Sequence, residues 1–329
     1  MRRLLVLAAV SLVAAATAGA IASAPGAKRE GVPPFGHVFV IIGENTELSQ
    51  VTANNAPYLM GTFKPKSAWL TSYFATTHYS EANYVAMTSG QYTACQQLDG
   101  SAASCHQDVD NLFHQLDGKN VSWQSWMESM PAPCSLTNAG DNAGQNHYTA
   151  KHNPAIFFDD VEGAGGVWST TPSAECLAND IPAGTTGPND MSAFDAALAS
   201  GNVARFNLVV PNECEDAHDN CKPAGNPITQ FDEFLAREIP KIESSPAFGR
   251  DGVIIVTFDE GTTNSPQHGD KFGGGNVVFA VESPLARAGL YGGGPFNHYG
   301  FLRTMEDGFG VSTYLAGAGS ANPINTIWR

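Results

Sequence analysis

The sequence predicts an α/β fold, with a mainly parallel central sheet and helices on both faces. Three observations carry this expectation. Continuous apolar runs of strand length recur along the chain, the clearest at residues 37–42 and 252–258. A run that is apolar at every position, rather than at every second one, suits a strand buried on both faces. Segments with helical spacing of apolar residues lie between the runs, which gives successive strands the crossovers that parallel pairing needs. Finally, polar side chains follow directly on the ends of several runs.

In chain order, the strand candidates are residues 37–42, 68–76, 121–127, 206–210, 252–258 and 275–281. Helical patterns occupy residues 56–63, 83–88, 109–116, 191–198, 228–242 and 298–309. Glycine- and proline-rich stretches at 163–166, 273–275 and 292–295 read as loops. Ser80 is placed to cap a helix and Gly90 to end it. Trp123 and Trp126 read as core. No repeat or change of composition marks a second domain, so residues 36–329 are expected to form one, preceded by a mobile linker over residues 25–35.

The N-terminus reads as an export signal over residues 1–24. Arg2 and Arg3 precede an alanine-rich apolar stretch at residues 4–22, which ends in the small-residue sites Ala18-Gly19-Ala20 and Ala22-Ser23-Ala24. The expected location is therefore secreted or periplasmic, with no stable membrane insertion. The six cysteines fit disulfides in an exported chain. The shortest loops would join Cys95 to Cys105, Cys134 to Cys176 and Cys214 to Cys221. None forms a CxxC pair, which argues against a cysteine zinc site.

A net charge of −15 argues against nucleic acid and anionic surfaces as partners. In a chain so poor in cations, an anionic ligand would need another positive charge, and a divalent metal ion supplies one. The residues after the strands are suited to hold it. In open α/β sheets ligands bind beyond the carboxyl ends of the strands. Four neighbouring strands would deliver Glu44 and Asn45, Ser80, Asn212, and Asp259 and Glu260 to one rim. These are oxygen ligands for a hard or borderline divalent ion, together with one hydroxyl. Any one acid after a strand can simply cap a helix. Several together point to a site.

The segment Thr77-His78-Tyr79-Ser80-Glu81-Ala82-Asn83-Tyr84 resembles the T-H-x-S-x-P-N-Y motif of the bacterial and fungal phosphoesterase family of secreted acid phosphatases and phospholipases C, which is similar in plan to the alkaline phosphatase superfamily. Further segments resemble its other motifs in order: Glu44-Asn45; Lys151-His152-Asn153-Pro154; Pro211-Asn212 with Asp216 and His218-Asp219; Thr257 to Glu260; and His298-Tyr299 with Leu302, Thr304 and Glu306. The resemblance spans residues 36–329. Ala82 stands where the motif has proline, and the glycine-rich loops are extended.

The resemblance implies an alkaline phosphatase-like fold and a set of roles. Ser80 would be the nucleophile that forms a phosphoenzyme. Glu44, Asn45, Asp259 and Glu260 would hold the divalent ion, with Asp216 and His218 as further ligands. Asn83, Lys151 and Asn212 would bind substrate oxygens. His298 is the expected leaving-group acid, with His78 and His218 as alternatives; His147, His152 and His268 show no distinctive spacing of their own. The expected activity is hydrolysis of phosphate monoesters of acid phosphatase type, with small-molecule or lipid esters, including phosphoinositides, as substrates. Phospholipase C-type diester hydrolysis is the alternative. Non-catalytic capture of a phosphate ligand is a third reading, against which Ser80 counts. Oligomeric state is not set by the sequence.

Overall fold

The computed structural model describes residues 27–92, 95, 98–140, 147–221, 223, 225–264 and 273–329; the stretch expected to be an export signal, the start of the expected linker and His268 lie outside them. The strands are β1 (Val38–Gly43), β2 (Ala68–Leu70), β3 (Tyr73–Phe74), β4 (Trp123–Met127), β5 (Asp180–Pro182), β6 (Phe206–Val210), β7 (Val253–Phe258), β8 (Phe279–Glu282), β9 (Gly289–Tyr291) and β10 (Phe296–Asn297). The helices are α1 (Ser80–Ser89), α2 (Ala102–Cys105), α3 (Leu112–Asp117), α4 (Asp159–Glu162), α5 (Ala174–Asn179), α6 (Ser192–Ser200), α7 (Pro227–Ser244) and α8 (His298–Gly308).

Eight strands form one sheet in the order β5-β4-β6-β1-β7-β8-β2-β9. All pairs are parallel except those of β8, which runs antiparallel to both β7 and β2. The mainly parallel expectation therefore holds with one reversed strand. β1, the central strand, is buried at every residue, as its unbroken apolar run requires.

Side chains two apart along a strand share a face, and registered partners on parallel strands share it too. Phe39 meets Phe194 of α6, and Trp126 meets the same ring. Phe258, level with Gly43, meets Phe231 of α7. One face is thus covered by α6 and α7. On the other, Trp123 packs on Phe113 of α3, and Phe206, level with Val38, on Phe309 just after α8. Trp123 and Trp126 are both core residues, on opposite faces.

Three expectations need correction. The run at 68–76 is two strands: β2 joins the main sheet, and β3 pairs with β10 in a separate two-stranded sheet. The run at 275–281 likewise first follows β3, through Asn276 opposite Phe74, and becomes β8 only at Phe279. The linker is, from residue 29 on, tied down. Val32 and Phe35 are buried, Phe35 packs on Phe309 and Trp328, and Arg29 pairs with Asp307. A buried Phe35 anchors the stretch.

All three expected disulfides form: Cys95–Cys105, Cys134–Cys176 and Cys214–Cys221.

Candidate active site

β6, β1 and β7 are adjacent and parallel, so their carboxyl ends share one rim. Gly43 and Phe258 are level, and Glu44 and Asp259 leave the sheet side by side. The backbone pairing continues past the strands: Asp259 N–H donates to Gly43 (3.0 Å), Glu44 N–H to Asp216 (2.6 Å) and Thr46 N–H to Glu260 (3.0 Å). These bonds lock three loops together before any side chain is considered. Ser80 does not arrive on a fourth neighbouring strand. It is the first residue of α1, which follows the loop after β3. Tyr79, not Ser80, occupies the cap position, with φ +79°.

Ser80 Oγ donates to Glu44 Oε2 at 2.8 Å, and both residues are buried. Behind Glu44 stand Asp216, Asp259 and His152. Glu44 Oε1 lies 3.4 Å from His152 Nε2, and Asp216 Oδ2 lies 3.5 Å from His152 Nδ1. Glu44 Oε1, Asp216 Oδ2, Asp259 Oδ2 and His152 Nε2 are all buried without a hydrogen-bond partner among the described residues. An unsatisfied buried polar atom costs about 1–3 kcal/mol, and more when charged. Those of Glu44, His152 and Asp216 belong to residues whose ligand atoms cluster, an arrangement that a divalent ion would satisfy.

The spacing agrees. Ligand atoms of Glu44, His152 and Asp216 all lie within 4.8 Å of one another. Ligands held ~2.0–2.6 Å from one ion are at most ~5 Å apart. Carboxylates with an imidazole form a donor set for a borderline divalent metal.

The electrostatics show the same deficit of positive charge. Burial pushes the Glu44 carboxyl well up, and Asp259 and Asp216 push it further. Burial, then Glu260, raises Asp259 to about 8. Burial also raises Asp216 strongly. Burial lowers His152, helped by Lys151, His218 and His147, so its ring is neutral and its nitrogen free to coordinate. All three carboxyl shifts disfavour the charged carboxylates, and a divalent ion would favour them.

The other expected residues fall into distinct settings. Asn45 has φ +43° and donates its N–H to Asp259 Oδ1 at 3.1 Å, a backbone contribution to the site. Both Glu260 oxygens have partners outside the cluster: Oε1 accepts from Tyr79 N–H (3.1 Å) and Oε2 pairs with His78 Nδ1 (2.5 Å). That bond raises the His78 pKa above its ordinary value. The Asn83 side chain braces the loop before Ser80, accepting from Thr76 and Thr77 N–H and donating to the Thr77 and Tyr79 carbonyls. Asn212 is similarly engaged, donating to Ser129 Oγ and accepting from Cys214 N–H. Lys151 pairs with Asp99 at 2.9 Å, and its charge also reaches Glu44. His218 pairs with Asp219 at 2.8 Å, with its ring 6.4 Å from that of His152.

His298 differs most from expectation. It is fully buried, Nδ1 bonds Tyr73 Oη (2.9 Å), and Nε2 bonds the Asp259 carbonyl (2.6 Å). Burial lowers its pKa to about 4. With both ring nitrogens occupied and no proton to spare, His298 holds the Asp259 backbone rather than facing a leaving group. His152 is the residue that sequence reasoning passed over; its one signal is its place beside Lys151 in the Lys-His-Asn-Pro segment.

Residues 37–312 match the Phosphoesterase family. The chain belongs to that family. This phosphoesterase is 24% identical to a probable acid phosphatase of Kluyveromyces lactis over 299 residues, 89% of the chain and 62% of the relative. It is 25% identical to an acid phosphatase of Aspergillus fumigatus, covering 61% of that protein. The chain thus spans about three fifths of the length of these fungal relatives. A phosphatidylinositol-3-phosphatase of Mycobacterium tuberculosis is 25% identical over 90% of the chain and 84% of its own length. Among solved structures, an alkaline phosphatase superfamily protein from Vibrio parahaemolyticus superimposes with TM-score 0.55 at 12% identity, covering 89% of this chain and 71% of its own. That likeness concerns the fold, which is alkaline phosphatase-like.

Proposed function

We propose that this phosphoesterase hydrolyses phosphate monoesters through Ser80. The observation that carries the reading is the Ser80 hydroxyl, bonded to a buried carboxylate that clusters with His152 and Asp216 at the spacing of metal ligands. Glu44, Asp216, Asp259 and His152 would hold the divalent ion, which would lower the pKa of the hydroxyl and offset phosphate charge.

The remaining work belongs to the chain. Glu44 accepts the Ser80 proton and aims Oγ. The amino end of α1 faces the phosphate with its positive dipole. Lys151 offers a cation to the non-bridging oxygens. Ser80 Oγ bonds to phosphorus as the ester P–O bond breaks, and His78 gives its proton to the departing alkoxide. Water then cleaves the phosphoserine to release inorganic phosphate. His78 suits the acid role because its bond to Glu260 favours the protonated ring and the ring is partly exposed.

Monoesters are favoured because the relatives named above are phosphatases. The Mycobacterium relative, matched over most of its length, puts phosphoinositides on the list to be assayed. Export is supported by the three disulfides.

The test is hydrolysis of a panel of monoesters, phosphoinositides and diesters, with and without chelation. Turnover of monoesters, lost on chelation and restored by a divalent ion, is expected. Ser80→Ala should remain folded and lose at least about 100-fold in turnover. Wild-type rates in that variant would remove Ser80 from the chemistry, and a preference for diesters would favour a phospholipase C-type reaction.

A further inference from the structure

Beside the site just described lies a second group of ligand-type side chains that the proposed reaction does not use. His147, Glu213 and Asp219 each offer one ligand atom, all within 4.8 Å of one another. His147 and Glu213 are 4% and 6% exposed, so both are at least nine-tenths buried, and Asp219 is partly exposed.

The decisive detail is the His147 ring. Its Nδ1 sits 2.9 Å from Glu213 Oε2, yet it makes no hydrogen bond among the described residues. Two atoms bound at right angles to one ion, each ~2.1 Å from it, are themselves ~3 Å apart. The separation is therefore that of neighbouring ligands on a coordination sphere. The other Glu213 oxygen is fixed by Thr149 Oγ1 at 2.6 Å, which orients the carboxylate toward His147.

The frame around the group is rigid. Cys214–Cys221 closes the loop that carries Asp219, and Glu213 stands just before it. Glu213 N–H donates to His147 (3.0 Å), and Asp219 N–H donates to Glu213 (2.8 Å). Gln230 clasps the loop through the Cys214 and Asp219 carbonyls and Cys221 N–H. Ligands held in this way lose little entropy on binding.

We infer that His147, Glu213 and Asp219 form a second divalent-cation site, distinct from the Glu44 cluster. One imidazole and two carboxylates select a borderline ion of the zinc or manganese kind over calcium. The part-exposed Asp219 edge leaves coordination positions to water. His218 stands between the two sites, with Nδ1 4.0 Å from Glu213 Oε2 and its ring facing His152. An ion here ties the segment at residue 147 to the 213–221 loop, and so braces Asp216. The inference stands whether or not Ser80 is the nucleophile.

The test is metal stoichiometry. The full chain, stripped by chelation and then dialysed to equilibrium against Zn²⁺, should hold two ions. His147→Gln and Asp219→Asn should each weaken one of them by at least about 10-fold and leave the other in place. Glu44→Gln should do the converse. Asp219→Asn, at a part-exposed position, keeps the test open if the His147 variant misfolds. With Co²⁺ in place of Zn²⁺, the visible spectrum should lose one of two components in His147→Gln. A single ion in the wild type, or two ions retained in both variants, would overturn the second site and leave only a His–Glu pair.

Discussion

Asn45, Tyr79 and Ala217 all have positive φ without being glycine, and each adjoins a residue of the proposed chemistry: Glu44, Ser80 and Asp216. Such backbone strain costs about 1–3 kcal/mol per residue and persists where the surroundings over-determine it. Here the surroundings are the cross-loop bonds and the Asn83 brace. At this scale the proton donor can be tested. His78→Ala should slow alkyl phosphates by about 10²–10⁴-fold and nitrophenyl phosphate far less, because nitrophenolate departs without a proton. Equal loss on both substrates would make His78 a positioning residue. Glu44 and Asp259 were legible in the sequence because acids directly after buried strands have few bland uses in such number, and Asp216 only through its place in the family motif. His152 was not, because histidine beside lysine in a turn is equally at home on a surface. The setting of His298 was hidden for another reason: its partners, Tyr73 and the Asp259 backbone, lie 225 and 39 residues away in sequence.

At the scale of elements, the glycine-rich stretch at 273–275 does a specific job. A Cβ on Gly274 would stand 2.0 Å from the Thr77 carbonyl and 2.6 Å from the Ala75 side chain. Only glycine lets this loop lie against the segment that leads into α1. Gly274→Ala should therefore displace Thr77 and His78, lower the melting temperature and cut turnover by at least about 10-fold, the scale of a small misplacement of catalytic groups. Unchanged kinetics would show that the loop yields freely. The sequence marked this stretch as a loop but not as a close contact. It also located most of the ladders, yet not the direction of β8 or the break between β2 and β3. Apolar runs report burial; which neighbour a strand takes, and in which sense, depends on packing elsewhere.

Over the whole molecule the excess of acid is partly buried, and this sets how stability responds to pH. Burial raises Glu81 to about 8, with Asp99 adding to it; Glu162 rises to about 8 through burial and Asp180; Asp180 and Glu306 rise to about 7. Each folded pKa lies above its unfolded value, so the folded chain binds more protons than the unfolded chain across this range. Their contribution is fully present below about pH 4 and is lost as pH rises through 7 and 8. His298, lowered to about 4, acts in the opposite sense and erodes stability as pH falls below about 6.5. Four carboxyls outweigh one histidine. With metal saturating the Glu44 cluster, the melting temperature should be higher at pH 5 than at pH 8 by at least about 5 °C. A flat or rising profile over that range would mean these carboxyls are ionised in the folded state. The central strand has a different consequence. β1 is flanked by β6 and β7, with Val38 opposite Phe206 and Val253. A chain that emerges from its amino end first therefore exposes its most apolar strand long before either neighbour exists. Folding is a late event, closed by long-range pairing. Until residue 258 has been made, Val-Phe-Val-Ile-Ile is an adhesive edge with no partner strand on its β7 side.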